Sequence, residues 1–114
     1  MRGDQVLRGT VVNIPADISS AAFWIVGSIL APGSDLILQD VGINPTRAGI
    51  LSVLTRIGAP FVGSWSAEHP VGEPHTNLRI VSKTLSAATV EAQEVPTLID
   101  EVPILALAAA RAEG

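Results

Sequence analysis

Two aspartates head the apolar, helix-like runs of this chain, Asp17 before a run that closes on Pro32-Gly33 and Asp100 before one that closes on Gly114. A carboxylate at a helix start can accept hydrogen bonds from the unpaired N–H groups of the first turn, or stand at the mouth of a rigid element as a proton acceptor. By position alone both read as N-caps. Glu101 adjoins Asp100, but neighbouring side chains on a helix diverge by about 100°. The two do not read as a paired acid and base.

The other polar candidates suggest less chemistry. Ser19 and Ser20 have no base nearby in sequence and no nucleophile-elbow context, so they read as helix-packing residues. His69 and His75 lie in a Pro/Gly/Glu-rich stretch at a spacing that matches no helical metal pair. Both are expected in surface loops, and no metal is expected. Gly58-Ala-Pro-Phe-Val-Gly63 lacks the lysine and hydroxyl residue of a phosphate loop, and no cofactor is implied. Asn44-Pro45-Thr46-Arg47 is better read as a structural turn than as an anion site, with Asn44 or Thr46 capping and Arg47 tied to a nearby carboxylate. Trp24 and Trp65 are expected in a core or interface.

At 114 residues the chain has the length of one domain, and 47% hydrophobic against 16% charged residues excludes a disordered chain. The net charge of -4, with seven Lys+Arg scattered singly, leaves no footprint for nucleic acid or anionic lipid. With no cysteine, disulfides, thiol catalysis and cysteine-bound zinc are excluded. The longest apolar run, Ala21 to Ala31, is shorter than the roughly 20 residues a membrane span needs. No signal peptide is evident at the N-terminus, so a cytoplasmic location is expected.

The elements that must position these residues follow from periodicity. Thr10 to Ile14 reads as a strand ended by Pro15. Ile18 to Leu30 reads as a helix, apolar nearly all round and so expected to be buried on most sides. Strand Asp35 to Val41 precedes a helix from Thr46 to Ile57, whose apolar stripe ends at Gly58. Strands are expected from Pro60 to Trp65 and from Asn77 to Ser82, with Ala67 to Pro74 the least regular stretch. A strand near Ala88 to Ala92 and the Asp100 helix close the chain. The class is α/β (α+β): a βαβαββ order implying a mixed sheet with helices on one face. The repeated Asp-headed helices suggest stacked copies, residues 1–92 forming one unit with its following strand and 93–114 opening the next.

Pro15-Ala-Asp-Ile-Ser-Ser-Ala-Ala-Phe23, Val41-Gly-Ile-Asn-Pro-Thr-Arg47, Gly72-Glu-Pro74 and Leu98-Ile-Asp-Glu-Val-Pro-Ile-Leu-Ala106 resemble, in order and spacing, the central part of the bacterial-type 5-enolpyruvylshikimate-3-phosphate synthases. Ala16 stands where that family usually has glycine, implying a slightly altered start to the helix. The resemblance implies a fold of two lobes built from βαβαββ repeats. It further implies a transferase that moves the enolpyruvyl group of phosphoenolpyruvate to the 5-hydroxyl of shikimate 3-phosphate, in aromatic amino-acid biosynthesis. Asp100 matches the carboxylate that binds the shikimate hydroxyls and accepts a proton, which reverses its reading as a cap and leaves Asp17 as one. The family's phosphate-binding lysine, serine pair and arginines have no counterpart here. The chain is therefore expected to be a fragment, inactive alone, that self-associates through an exposed C-terminal helix. Two alternatives stand beside this: a non-catalytic folding or interaction module, and a piece of the related UDP-sugar enolpyruvyl transferase, against which the Asn44 to Arg47 and Leu98 to Ile104 segments argue.

Overall fold

A computed structural model describes residues 3, 6, 8–59, 61, 62 and 72–114. Helix α1 (Ile18–Leu30) starts where Asp17 caps it, the carboxylate accepting the Ser20 N–H at 2.8 Å and the Ser20 hydroxyl at 2.9 Å. Ile18, Ala21, Ala22, Ile25, Val26 and Ile29 recur at helical spacing and are buried. Gly33, at φ +74°, lets the chain turn back into strand β1 (Asp35–Gly42).

Strand β1 pairs antiparallel with β3 (His75–Val81), and β3 pairs antiparallel with the short β2 (Phe61–Val62), giving the order β1-β3-β2. The central strand supplies Leu78 and Ile80 to the core. The register slips by one residue between Leu38 and Val41, where Asp40 takes φ +51° and its N–H donates to Asn77 Oδ1 at 2.9 Å. This bulge lets Val41 join Leu36 and Leu38 on the inward side. Helix α2 (Gly49–Arg56) links β1 to β2 and buries Ile50, Leu51, Val53 and Leu54. After β3 the chain runs through two 3₁₀ turns, Val95–Thr97 and Ile99–Glu101, into helix α3 (Val102–Ala110), which packs against α1.

Several expectations are corrected. Thr10 to Ile14 forms no strand: Val11, Val12 and Ile14 are exposed, and only Ala16 reaches the sheet, in a parallel bridge to Val41. Branching at Cβ favours a strand only where a pleated face has something to pack against. Residues 88–92 form none either, since Ala88 and Ala92 bring little apolar surface to bury. There the chain is held by a parallel bridge from Ser86 to Glu113 instead. Helix α2 begins at Gly49 rather than Thr46, because Asn44 Oδ1 takes the Thr46 N–H at 3.0 Å and its hydroxyl at 2.8 Å in a turn that competes with helix. Among the described residues the ladders of the sheet are all antiparallel, so it is mixed only through the Ala16 bridge. Helix α1 is buried on one side only. Phe23 and Trp24 are 58% and 68% exposed, which takes Trp24 out of the core. Trp65 and His69 lie outside the described residues.

Candidate functional site

Asp100 sits on a turn whose neighbours are each tied down. Upstream, Arg56 holds Glu94 with both nitrogens, Nη1 to Oε1 at 2.5 Å and Nη2 to Oε2 at 2.8 Å, and Nη2 also donates to the Thr89 carbonyl at 2.9 Å. The Arg56 hydrogen bonds and then the Glu91 N–H keep the Glu94 carboxyl below its ordinary range, and the pair raises Arg56 in turn. Thr97 donates its hydroxyl to the Glu94 carbonyl at 2.7 Å and lies against Gly49 so closely that a Cβ there would come within 2.1 Å of Thr97 Oγ1. Leu98 follows, buried at 1% exposure.

The next three residues wind as a 3₁₀ turn, with the Glu101 N–H donating to the Leu98 carbonyl at 3.0 Å. At about three residues per turn, positions 98 and 101 eclipse. Both therefore point inward, and Ile99 and Asp100 are left outside. Glu101 is only 4% exposed, and its Oε1 accepts the hydroxyl of Ser19 from the first turn of α1. Arg47 Nη2 donates to the same Ser19 Oγ at 3.4 Å and lies 3.7 Å from Asp17 Oδ1. A polar chain thus runs from Asp17 through Arg47 and Ser19 to Glu101.

Asp100 is no N-cap. Helix α3 begins two residues later, its cap position is Glu101, whose side chain makes no capping bond, and Pro103 removes one N–H that would need a partner. The Asp100 carboxylate is exposed and accepts no hydrogen bond from the described residues. Asp17 does cap, and its carboxyl is held below the ordinary value by the Ser20 N–H and hydroxyl, then by the Ser19 N–H and Arg47.

The remaining candidates fall elsewhere. Arg47 finds a carboxylate, as expected, and Asn44 makes the turn while its Nδ2 donates to Glu73 Oε1 at 2.8 Å. His75 opens β3 with Nδ1 3.0 Å from the Glu73 carbonyl, so it is a strand residue and not a loop one. An open groove of about 860 Å³ lies between residues 10–18, Asn44, Arg47, Glu73 and His75, and Asp100 does not line it. Ser19 and Glu101 are the site residues that sequence reasoning missed. The one available signal was that Glu101 follows the apolar Leu98 by three residues.

A carboxylate fixed by its backbone and unused by the fold can accept hydrogen bonds from a polyhydroxylated ligand or take a proton from one of its hydroxyls. Arg56 and Arg79 are each committed to a carboxylate.

Comparison with known proteins gives a consistent picture. Residues 1–114 match the family model of EPSP synthase (3-phosphoshikimate 1-carboxyvinyltransferase). The 3-phosphoshikimate 1-carboxyvinyltransferase of a Synechococcus species is 49% identical over 112 residues, covering 98% of this chain and 25% of that protein. Its Synechocystis counterpart is 46% identical over 114 residues, covering 100% of this chain and 25% of its own length. A solved EPSP synthase from Acinetobacter baumannii superposes with a TM-score of 0.87 at 42% identity, over 97% of this chain and 25% of that one. The chain spans about a quarter of the length of these relatives.

Proposed function

The chain belongs to the EPSP synthase family, and from that premise we propose that it serves as part of an enzyme moving the enolpyruvyl group of phosphoenolpyruvate to the 5-hydroxyl of shikimate 3-phosphate. Asp100 binds hydroxyls of the shikimate ring and accepts the proton of the attacking alcohol. The observation that carries this is the Asp100 carboxylate itself, exposed and accepting no hydrogen bond from the described residues, on a turn anchored by Leu98 and Glu101. A general base needs a fixed place and an unoccupied lone pair. The phosphates are held by cations outside this quarter of the enzyme, so residues 1–114 alone turn nothing over. Residues 1–92 make up one repeat unit and 93–114 open the next, with α3 packed against α1 across that division. We place the enzyme in the cytoplasm. Among the described residues no helix is long and apolar enough to cross a membrane.

The test is a full-length relative in which this chain replaces the matching quarter. Asp100→Asn should lower kcat by about 10²-fold or more, and Asp17→Asn should leave it nearly unchanged because asparagine caps about as well. Equal effects would overturn the assignment of Asp100, and turnover by residues 1–114 alone would overturn the division of labour.

A second reading, an interaction module that works by pairing with another piece or with itself, draws on Phe23, Trp24, Ile99, Val102 and Leu107, all large, apolar and exposed. Under either reading the isolated chain self-associates. A strictly monomeric mass by light scattering at high concentration would refute that.

A further inference from the structure

We propose that Ser19 and Glu101 are positioning residues for Asp100, acting through the hydrogen bond that ties the 3₁₀ turn to the first turn of α1. The inference rests on the reading of Asp100 as the carboxylate of the reaction.

The turn needs something on its inward side at position 101, and the obvious choice is apolar. An apolar residue there would bury without cost, whereas a carboxyl group taken out of water is expensive unless bonded. The chain nevertheless places Glu101 at 4% exposure beside Ser19. What the polar pair adds is direction. Apolar contact is satisfied over a range of rotations, but a hydrogen bond holds donor and acceptor to a narrow distance and angle.

Ser19 is itself oriented. Arg47 Nη2 donates to its oxygen at 3.4 Å, which leaves the hydroxyl proton to point at Glu101 Oε1. Arg47 Nη2 also lies 3.7 Å from Asp17 Oδ1, an exposed pair too weak to direct it. Through Ser19 the rotation of the Ile99–Glu101 turn is referred to the start of α1. Leu98 sets the depth of the turn in the core and Glu101 sets its twist. Asp100, between them, is carried to one place on the surface.

Two nearly isosteric pairs test this in the full-length chimera. Ser19→Thr keeps the hydroxyl and Ser19→Val removes it at nearly constant volume. Ser19→Val should lower kcat about tenfold while KM for phosphoenolpyruvate stays within about twofold, as expected for misplacing a reacting group by a fraction of an ångström. Ser19→Thr should keep kcat within about twofold. Glu101→Gln, which retains an acceptor, should behave like Ser19→Thr, and Glu101→Met like Ser19→Val. In an Asp100→Asn background Ser19→Val should cost nothing further, because there is no base left to misplace. In residues 1–114 alone, Ser19→Val should speed hydrogen exchange of the 99–102 amides relative to Ser19→Thr.

A merely structural bond predicts otherwise. It would lower Tm for Ser19→Val with kcat equal to that of Ser19→Thr, or lower kcat equally with and without Asp100, and either result overturns the positioning role. Should Ser19→Val fail to fold, the Glu101→Gln and Glu101→Met pair decides by the same criteria. If Asp100→Asn leaves kcat unchanged, the reading of Asp100 falls and this inference with it. If Asp100→Asn is inactive and both isosteric pairs are flat, only the positioning role falls.

Discussion

The start of α1 consumes its aspartate, and the start of α3 leaves its aspartate unused. Asp17 gives one oxygen, Oδ2, to both the Ser20 N–H and hydroxyl, and its Oδ1 lies 3.7 Å from Arg47 Nη2. At α3 the same residue type precedes a similarly apolar run, yet the helix begins beyond it and the anchoring passes to Leu98 and Glu101, one residue pair eclipsed across a 3₁₀ turn. The difference teaches that an aspartate before a helix is a cap only if the backbone places it at the cap position. Where the backbone does not, the carboxylate is available to a ligand.

The comparison breaks most sharply at Leu98. Leu98→Ala should destabilise residues 1–114 by about 2–5 kcal/mol, the usual cost of emptying a buried leucine site. Ile99→Ala, at a position 61% exposed, should stay within about 0.5 kcal/mol. Urea denaturation measures both, and similar midpoints would mean that burial does not anchor the turn.

Gly49→Ala probes the other side of that anchor. The new Cβ would lie 2.1 Å from Thr97 Oγ1 and 3.0 Å from the Thr97 carbonyl oxygen, so overpacking should cost about 1–3 kcal/mol despite the better helix propensity of alanine. Thr97→Ala in the same chain should recover part of the loss. An unchanged midpoint for Gly49→Ala would show that the 95–97 turn yields freely.

The two aspartates are then compared directly. Asp17→Ala should cost about 1 kcal/mol of stability as a lost cap, and Asp100→Ala less than about 0.5 kcal/mol. A larger loss at Asp100 would restore it as a structural residue. The smallest effect is on pH dependence. The folded-state carboxyl of Asp17 lies below its ordinary value of 3.8, so between the two values the unfolded chain binds more protons. Its contribution is complete above 3.8 and is lost as pH falls through the lower, folded value. Asp17→Asn should therefore show a shallower loss of stability on acidification, modest because the side chain is half-exposed. Asp35 and Glu94, also lowered by arginine partners, remain in both proteins and cancel in the difference.

What could be read before folding was what depends on near neighbours. The bounds of α1 follow from an aspartate, a continuous apolar run and a Pro-Gly stop, all within one stretch of chain. Strand β3 follows from its alternation and β1 from a short apolar run, each to within two residues. Asp100 was legible as a candidate through its resemblance to a family pattern, and its motif carried that without any knowledge of its surroundings.

Folding decided the rest, because it depends on residues far apart in sequence. Thr10 to Ile14 has the composition of a strand but pairs with none of the described residues; only Ala16, after it, bridges to Val41. Helix α3 starts late because Leu98 enters a core built from earlier elements, because Thr97 fits where Gly49 has no side chain, and because Glu101 meets Ser19 across 82 residues. Local pattern determined which segments turn apolar faces inward. Only the tertiary contacts determined that Asp100, unlike Asp17, is left unused by its helix, since a long-range hydrogen bond or a buried side chain exists only once both partners are in place.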